Sequence, residues 1–213
     1  MSNPYVVSFV NALVMCLALP LVGLLIQVLI HYVFGGLLNL ITRSGNTFYV
    51  FHNYLTAPGV VWHELSHLLV AIVTFAQIDD VVLFRPSDDS LGGVFFHPRG
   101  PVLWHFVQMT LISCAPVVSG FVAVFGYIHI ITTRSLSVPV HILLGYLIVC
   151  IVIHMTMSGA DFELYFKGVW VFFVAYFAWS VYVIKQTGSN ESVSVLNAVR
   201  GTWEALKLYL ASR

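Results

Sequence analysis

Five consecutive residues, His63-Glu64-Leu65-Ser66-His67, have types and a spacing that could do chemistry. On a helix, residues four apart stand one above the other on the same face, so both imidazoles can reach a single metal ion. Glu64, one step around, faces a water on that ion. Zinc is the ion this set suits: it lowers the pKa of its water toward about 7, Glu64 takes the proton, and the hydroxide attacks a carbonyl polarised by the metal. At the frequencies of His and Glu in this chain, roughly 0.007 such motifs are expected by chance, so composition does not explain the pattern. Without a cation, burying a glutamate beside two imidazoles in an apolar helix costs several kcal/mol or forces its protonation.

Catalytic zinc takes three protein ligands and a water, so a third ligand must come from elsewhere in the chain. Asp161 leads, because the other aspartates lie in the hairpin and turn region around residues 79–89. His154 stands one turn before Ser158 and two before Asp161, and is either an alternative ligand or a group that orients one. Glu163 is the third candidate. Ser158-Gly159-Ala160-Asp161 before an apolar run also fits a capping box, a role compatible with ligation. His31, His52, His97, His105, His129 and His141 follow no metal spacing and read as interfacial or core residues. Of these, His97 and His105 are near enough in sequence to the hairpin to touch substrate. Cys16, Cys114 and Cys150 each sit inside an apolar run and read as packing residues.

The elements that position these groups follow from composition. Of 213 residues, 59% are hydrophobic and only 8% charged, with nine Lys/Arg against nine Asp/Glu and no net charge. Mean hydropathy is +0.92. So few charges cannot cover a soluble surface, which excludes a soluble enzyme, a disordered chain and a nucleic-acid binder. The expectation is an all-α polytopic integral membrane protein with about five transmembrane helices. These are Tyr5 to Phe34, bending at Pro20; Phe48 to Ala76, interrupted at Pro58-Gly59; Val102 to Ile131, kinked near Pro116; Pro139 to Met157; and Leu164 to Ile184. Delivering Asp161 to the two histidines requires Thr47 to Gly59 to be membrane-embedded. Ile78 to Phe84 and Gly93 to His97 are short β-branched and aromatic runs separated by turn residues, which predicts a small hairpin at the membrane surface. After Lys185, apolar residues from Val195 to Leu210 recur at helical spacing and predict an interfacial amphipathic helix. The expected organisation is an N-terminal helix and loop at 1–46, a core at 47–184 with the hairpin at 78–97, and a linker and amphipathic helix at 185–213. Within the hairpin, an exposed strand edge could hold an unwound peptide, and Gly92, Gly93 and Val94 are the candidate substrate-binding residues.

On these residues the chain resembles the site-2 protease family of intramembrane zinc metalloproteases. His63 to His67 in an apolar helix is similar to that family's HExxH segment, and Ile78 to Phe96, ending in Gly92-Gly93-Val94, resembles its membrane-associated β region. Leu111 to Gly120, with Ala115-Pro116, resembles the small-residue and proline segment of its next helix, with alanine in place of glycine. Asp161 would match the family's aspartate ligand, although Phe162 stands where that family carries glycine. The resemblance implies one zinc ion per chain, hydrolysis of a peptide bond in or near a transmembrane segment of another membrane protein, and a hairpin side facing the cytosol. The partners implied are a membrane protein or peptide substrate and the lipid bilayer. Two other classes stand beside this one: a catalytically inactive binding or regulatory protein that keeps the fold, and a metal transporter using intramembrane His and Asp.

Overall fold

The structure, a computed structural model, describes residues 3–44, 47–85 and 91–188, with Asn197, Gly201, Glu204 and Leu208 beyond them. Those last four are helical and exposed; the rest of the expected amphipathic helix lies outside the described residues. In chain order come α1 (Pro4–Val28), a π-helical segment (Leu29–Phe34), α2 (Gly35–Thr42), α3 (Thr47–Val50), a second π-helical segment (Phe51–Leu55) and α4 (Ala57–Val73). The strands β1 (Gln77–Val82) and β2 (Gly93–His97) follow, then α5 (Val102–Thr133), α6 (Val138–His154), α7 (Gly159–Gly168) and α8 (Trp170–Thr187).

Among the described residues the fold is helical apart from one small two-stranded antiparallel sheet, in which Gln77 faces His97 and Val82 faces Gly93. The register slips at Asp79, a bulge that leaves this residue without a strand partner. His97 Nδ1 donates a hydrogen bond to the Asp79 carboxylate there.

Among the described residues, two helices are long and apolar enough to cross a membrane: the continuous run Pro4–Thr42 and Val102–Thr133. Two bent pairs, Thr47–Leu55 with Ala57–Val73 (53°) and Val138–His154 with Gly159–Gly168 (64°), bring the number to four if each pair is one span. The expected fifth stretch, Leu164 to Ile184, is divided near Val169 between α7 and α8, and α8 is not among these helices. Two further expectations change in detail. The first helix stays α-helical through Pro20 and departs from α geometry at Leu29–Phe34 instead. The second breaks at Thr56 rather than at Pro58, because proline fits the first turn of a helix and disfavours helical geometry in what precedes it.

The chain divides into two compact units, Leu19–Gly168 and the combination of Met1–Ala18 with Val169–Arg213. In the second unit, the Ser180 hydroxyl donates to that of Ser8 at 3.0 Å, both fully buried, and Phe9 meets Phe173 edge to face at 5.5 Å. In the larger unit, α4 packs against α5 and α6, and α7 against α5. Glycines set these approaches. A Cβ on Gly59 would stand 2.0 Å from the Cys150 carbonyl oxygen, and one on Gly168 would stand 2.2 Å from that of Phe106, so no larger residue fits without a shift. Val60, Ile112, Ala115, Val117, Cys150, Ile151 and Met157 form the buried apolar core between these helices. At the hairpin end, the fully buried Gln108 side chain donates to the Thr74 carbonyl at 2.7 Å and accepts from the Arg99 N–H at 2.8 Å, which ties both flanks of the hairpin to α5.

Candidate metal centre

His63 and His67 lie on α4 one turn apart, with ring centroids 4.7 Å apart. Each is aimed by a backbone carbonyl that its own helix leaves unpaired. Pro116 has no N–H, so the carbonyl four residues earlier, that of Ile112, has no α-helical donor. His67 Nδ1 donates to that oxygen at 2.7 Å. His154 ends α6, where the last carbonyls have no helical partner, and its oxygen accepts from His63 Nδ1 at 2.7 Å. Two interruptions of regular helix thus supply two acceptors, and both imidazoles are fixed as the tautomer that carries its proton on Nδ1.

In the neutral rings both Nε2 atoms are therefore lone pairs, and they face each other at 3.0 Å. Asp161 completes the triangle, with Oδ1 3.3 Å from His67 Nε2 and Oδ2 3.7 Å from His63 Nε2. These contacts exceed the 2.7–2.9 Å of a charge-assisted hydrogen bond. With the 3.0 Å Nε2–Nε2 separation they lie on either side of the edge of a tetrahedron whose ligands sit 2.0–2.1 Å from a central ion, about 3.3–3.4 Å. Three acceptor atoms with no proton between them repel one another unless a cation lies among them, so the donor set suits a metal ion such as zinc. Among the described residues, His63, His67 and Asp161 form a group of three side chains that could hold a metal ion.

Asp161 reaches this position from the first turn of α7, and its placement is also a capping box. Ser158 Oγ accepts from the Asp161 N–H at 3.1 Å, while Asp161 Oδ2 accepts from the Ser158 N–H at 2.8 Å. The cap restrains the carboxylate as it faces the imidazoles.

The other candidates do not join the cluster. His154 turns its ring to Thr56, where Nε2 lies 2.8 Å from the hydroxyl; that hydroxyl gives its hydrogen to the His52 carbonyl at 2.7 Å and so accepts from His154. Its contribution to the centre is the carbonyl that holds His63. Glu163 is exposed and paired with Lys167 at 2.6 Å.

Glu64 is buried, 7% exposed, and has no hydrogen bond or ion pair among the described residues. It lines a cavity of about 780 Å³ together with His63, His67, Asp161, Gly92, Gly93 and Val94. A Cβ on Gly92 would lie 2.9 Å from Glu64 Cγ and 2.7 Å from the Val82 carbonyl oxygen, so only glycine lets the hairpin come this close. His97 and His105 are not among the cavity residues.

His31 and His52, read from sequence as core or interfacial residues, line the same cavity. No spacing joins residues 31, 52 and 63, because their proximity comes from packing between separate helices. The available signal was the placement of ring nitrogens inside apolar segments, where polar groups are costly and tend to be functional. Comparison with models of known families, with curated proteins and with solved structures finds no match for this chain.

Proposed function

We propose that this protein is a zinc-dependent intramembrane endopeptidase, a divergent relative of the site-2 proteases, that cuts a peptide bond in or near a transmembrane segment of another membrane protein. The observation that carries the reading is the set of three converging lone-pair atoms on His63, His67 and Asp161 beside an unpartnered Glu64. In this reading the long apolar helices and bent pairs cross the bilayer several times, with large side chains such as Leu25, Leu40 and Ile41 (59%, 74% and 77% exposed) facing lipid.

Zinc, when bound, would polarise the scissile carbonyl and make a water acidic enough to attack near neutral pH. The chain supplies the rest. His63, His67 and Asp161 hold the ion, their orientation set by the Ile112 and His154 carbonyls and by the Ser158 cap. Glu64 takes the proton of the attacking water and passes it to the leaving amine. A helical substrate hides its amides and must unwind first; the edge of β2 not used by β1 would then hold the extended segment through main-chain hydrogen bonds. Gly92 and Gly93 let that segment approach the base.

Glu64→Gln tests the reading on the full chain purified in detergent. The variant is expected to keep wild-type zinc content, measured by elemental analysis, and to lose cleavage of candidate membrane substrates. Wild-type protein without stoichiometric zinc, or a variant that still cleaves, overturns it.

A further inference from the structure

His31 and His52 stand apart from the triad, yet they repeat its chemistry. Each places its Nδ1 against an oxygen acceptor: His31 on the Gln27 carbonyl at 3.2 Å, His52 on the Asn53 side-chain oxygen at 2.9 Å. Both Nδ1 atoms therefore carry the proton, and both Nε2 atoms are left as lone pairs with no hydrogen-bond partner among the described residues. The two ring centroids are 5.0 Å apart, against 4.7 Å in the His63–His67 pair. Two imidazoles bound to one tetrahedral ion at 2.0–2.1 Å would place their centroids about 5 Å apart. Both rings border the cavity that holds the triad.

A second observation is independent of the rings. His31 lies in the π-helical segment Leu29–Phe34 and His52 in the π-helical segment Phe51–Leu55. Such turns are rare, and where they occur they frequently mark functional sites. Here each one carries one member of the pair. Aromatic packing alone, for which Phe48 lies 5.5 Å from both rings, needs neither a ring nitrogen nor a widened turn.

We propose that His31 and His52 form a second, weaker binding site for a divalent ion of the zinc class, with water completing its coordination. Imidazole suits zinc and its neighbours in the transition series, and two protein ligands hold an ion less tightly than the three of the triad. The site is a holding position in the same cavity, from which an ion can be passed to the buried triad.

The test is zinc binding by the full chain in detergent, stripped with chelator and titrated by equilibrium dialysis. Wild type should take two equivalents, the second at least 100-fold weaker. The double variant His31→Phe/His52→Phe keeps the ring packing around Phe48 and should retain only the tight equivalent, whereas His67→Ala should retain only the weak one. Saturation of wild type at a single tight equivalent, or two equivalents in the double variant, overturns the proposal. If the double variant loses the tight equivalent as well, copper(II) bound to His67→Ala decides by electron paramagnetic resonance: two nitrogen ligands support the site, and an oxygen-only spectrum overturns it. Loss of the tight equivalent from wild type with retention of the weak one would instead count against the triad alone.

Discussion

Two pairs of histidines border one cavity, and they are built in different ways. His63 and His67 take their spacing from a single turn of α4 and their orientation from backbone carbonyls of α5 and α6. His31 and His52 come from different helical elements, and each leans on an acceptor within four residues of itself. The first pair is aimed by tertiary structure and joined by a carboxylate; the second is aimed locally and pairs with no carboxylate among the described residues. A helix fixes which side chains can meet, while its neighbours fix which ring nitrogen is presented. Affinity should follow the number of ligands and the rigidity of what holds them.

The largest expected effect separates the pairs outright. Asp161→Ala removes the carboxylate that meets the first pair and one half of the Ser158 cap, and should lower tight zinc affinity by more than the 10- to 100-fold typical of losing an orienting partner. Glu163→Gln on the same helix should leave zinc binding unchanged, because that carboxylate is at the surface with Lys167. An Asp161→Ala protein that keeps its tight equivalent would remove the distinction between three ligands and two.

Next comes Pro116→Ala. It restores an N–H that competes with His67 for the Ile112 carbonyl, so zinc affinity should fall by about 10- to 100-fold while the helix content by circular dichroism is maintained. Affinity within a factor of two of wild type would show that the proline does not aim the ring.

The smallest effect is expected of Thr56→Val, whose hydroxyl joins His154 to the His52 carbonyl. Leaving His154 Nε2–H without its acceptor should cost about 1–3 kcal/mol, read as a lower midpoint of thermal unfolding, with tight zinc binding within tenfold of wild type. Loss of the tight ion as well would mean that the two pairs are mechanically one.

How much of this could be read from the sequence depends on how local each feature is. The His63-to-His67 spacing is contained in one helical turn, and the hairpin strands in short alternating runs. Asp161 could be selected because so few aspartates lie beside apolar stretches, and its capping partner stands three residues away. The kink residue Pro116 was visible too, but its role was not: that Ile112 loses a donor follows from the helix, whereas the donor that replaces it comes from α4. His31 and His52 gave no pattern, because 21 positions and a chain reversal separate them. The break within the expected fifth stretch was hidden for a similar reason. Hydropathy sees an apolar run and not the division near Val169 that splits Leu164 to Ile184 between two helices.

The π-helical segments have a consequence for insertions and deletions. Each amounts to one surplus residue in an otherwise α-helical ladder. Removing a single residue from within 29–34 would let the ladder close in regular α register while the flanking turns keep nearly the same faces, because a π turn spreads its extra residue over about one turn. The helix would persist, with unchanged length to within a residue and unchanged hydrophobicity, and the change would be confined to the turn that carries His31. A one-residue deletion there would therefore change the position of His31 while leaving the helical segments on either side in register.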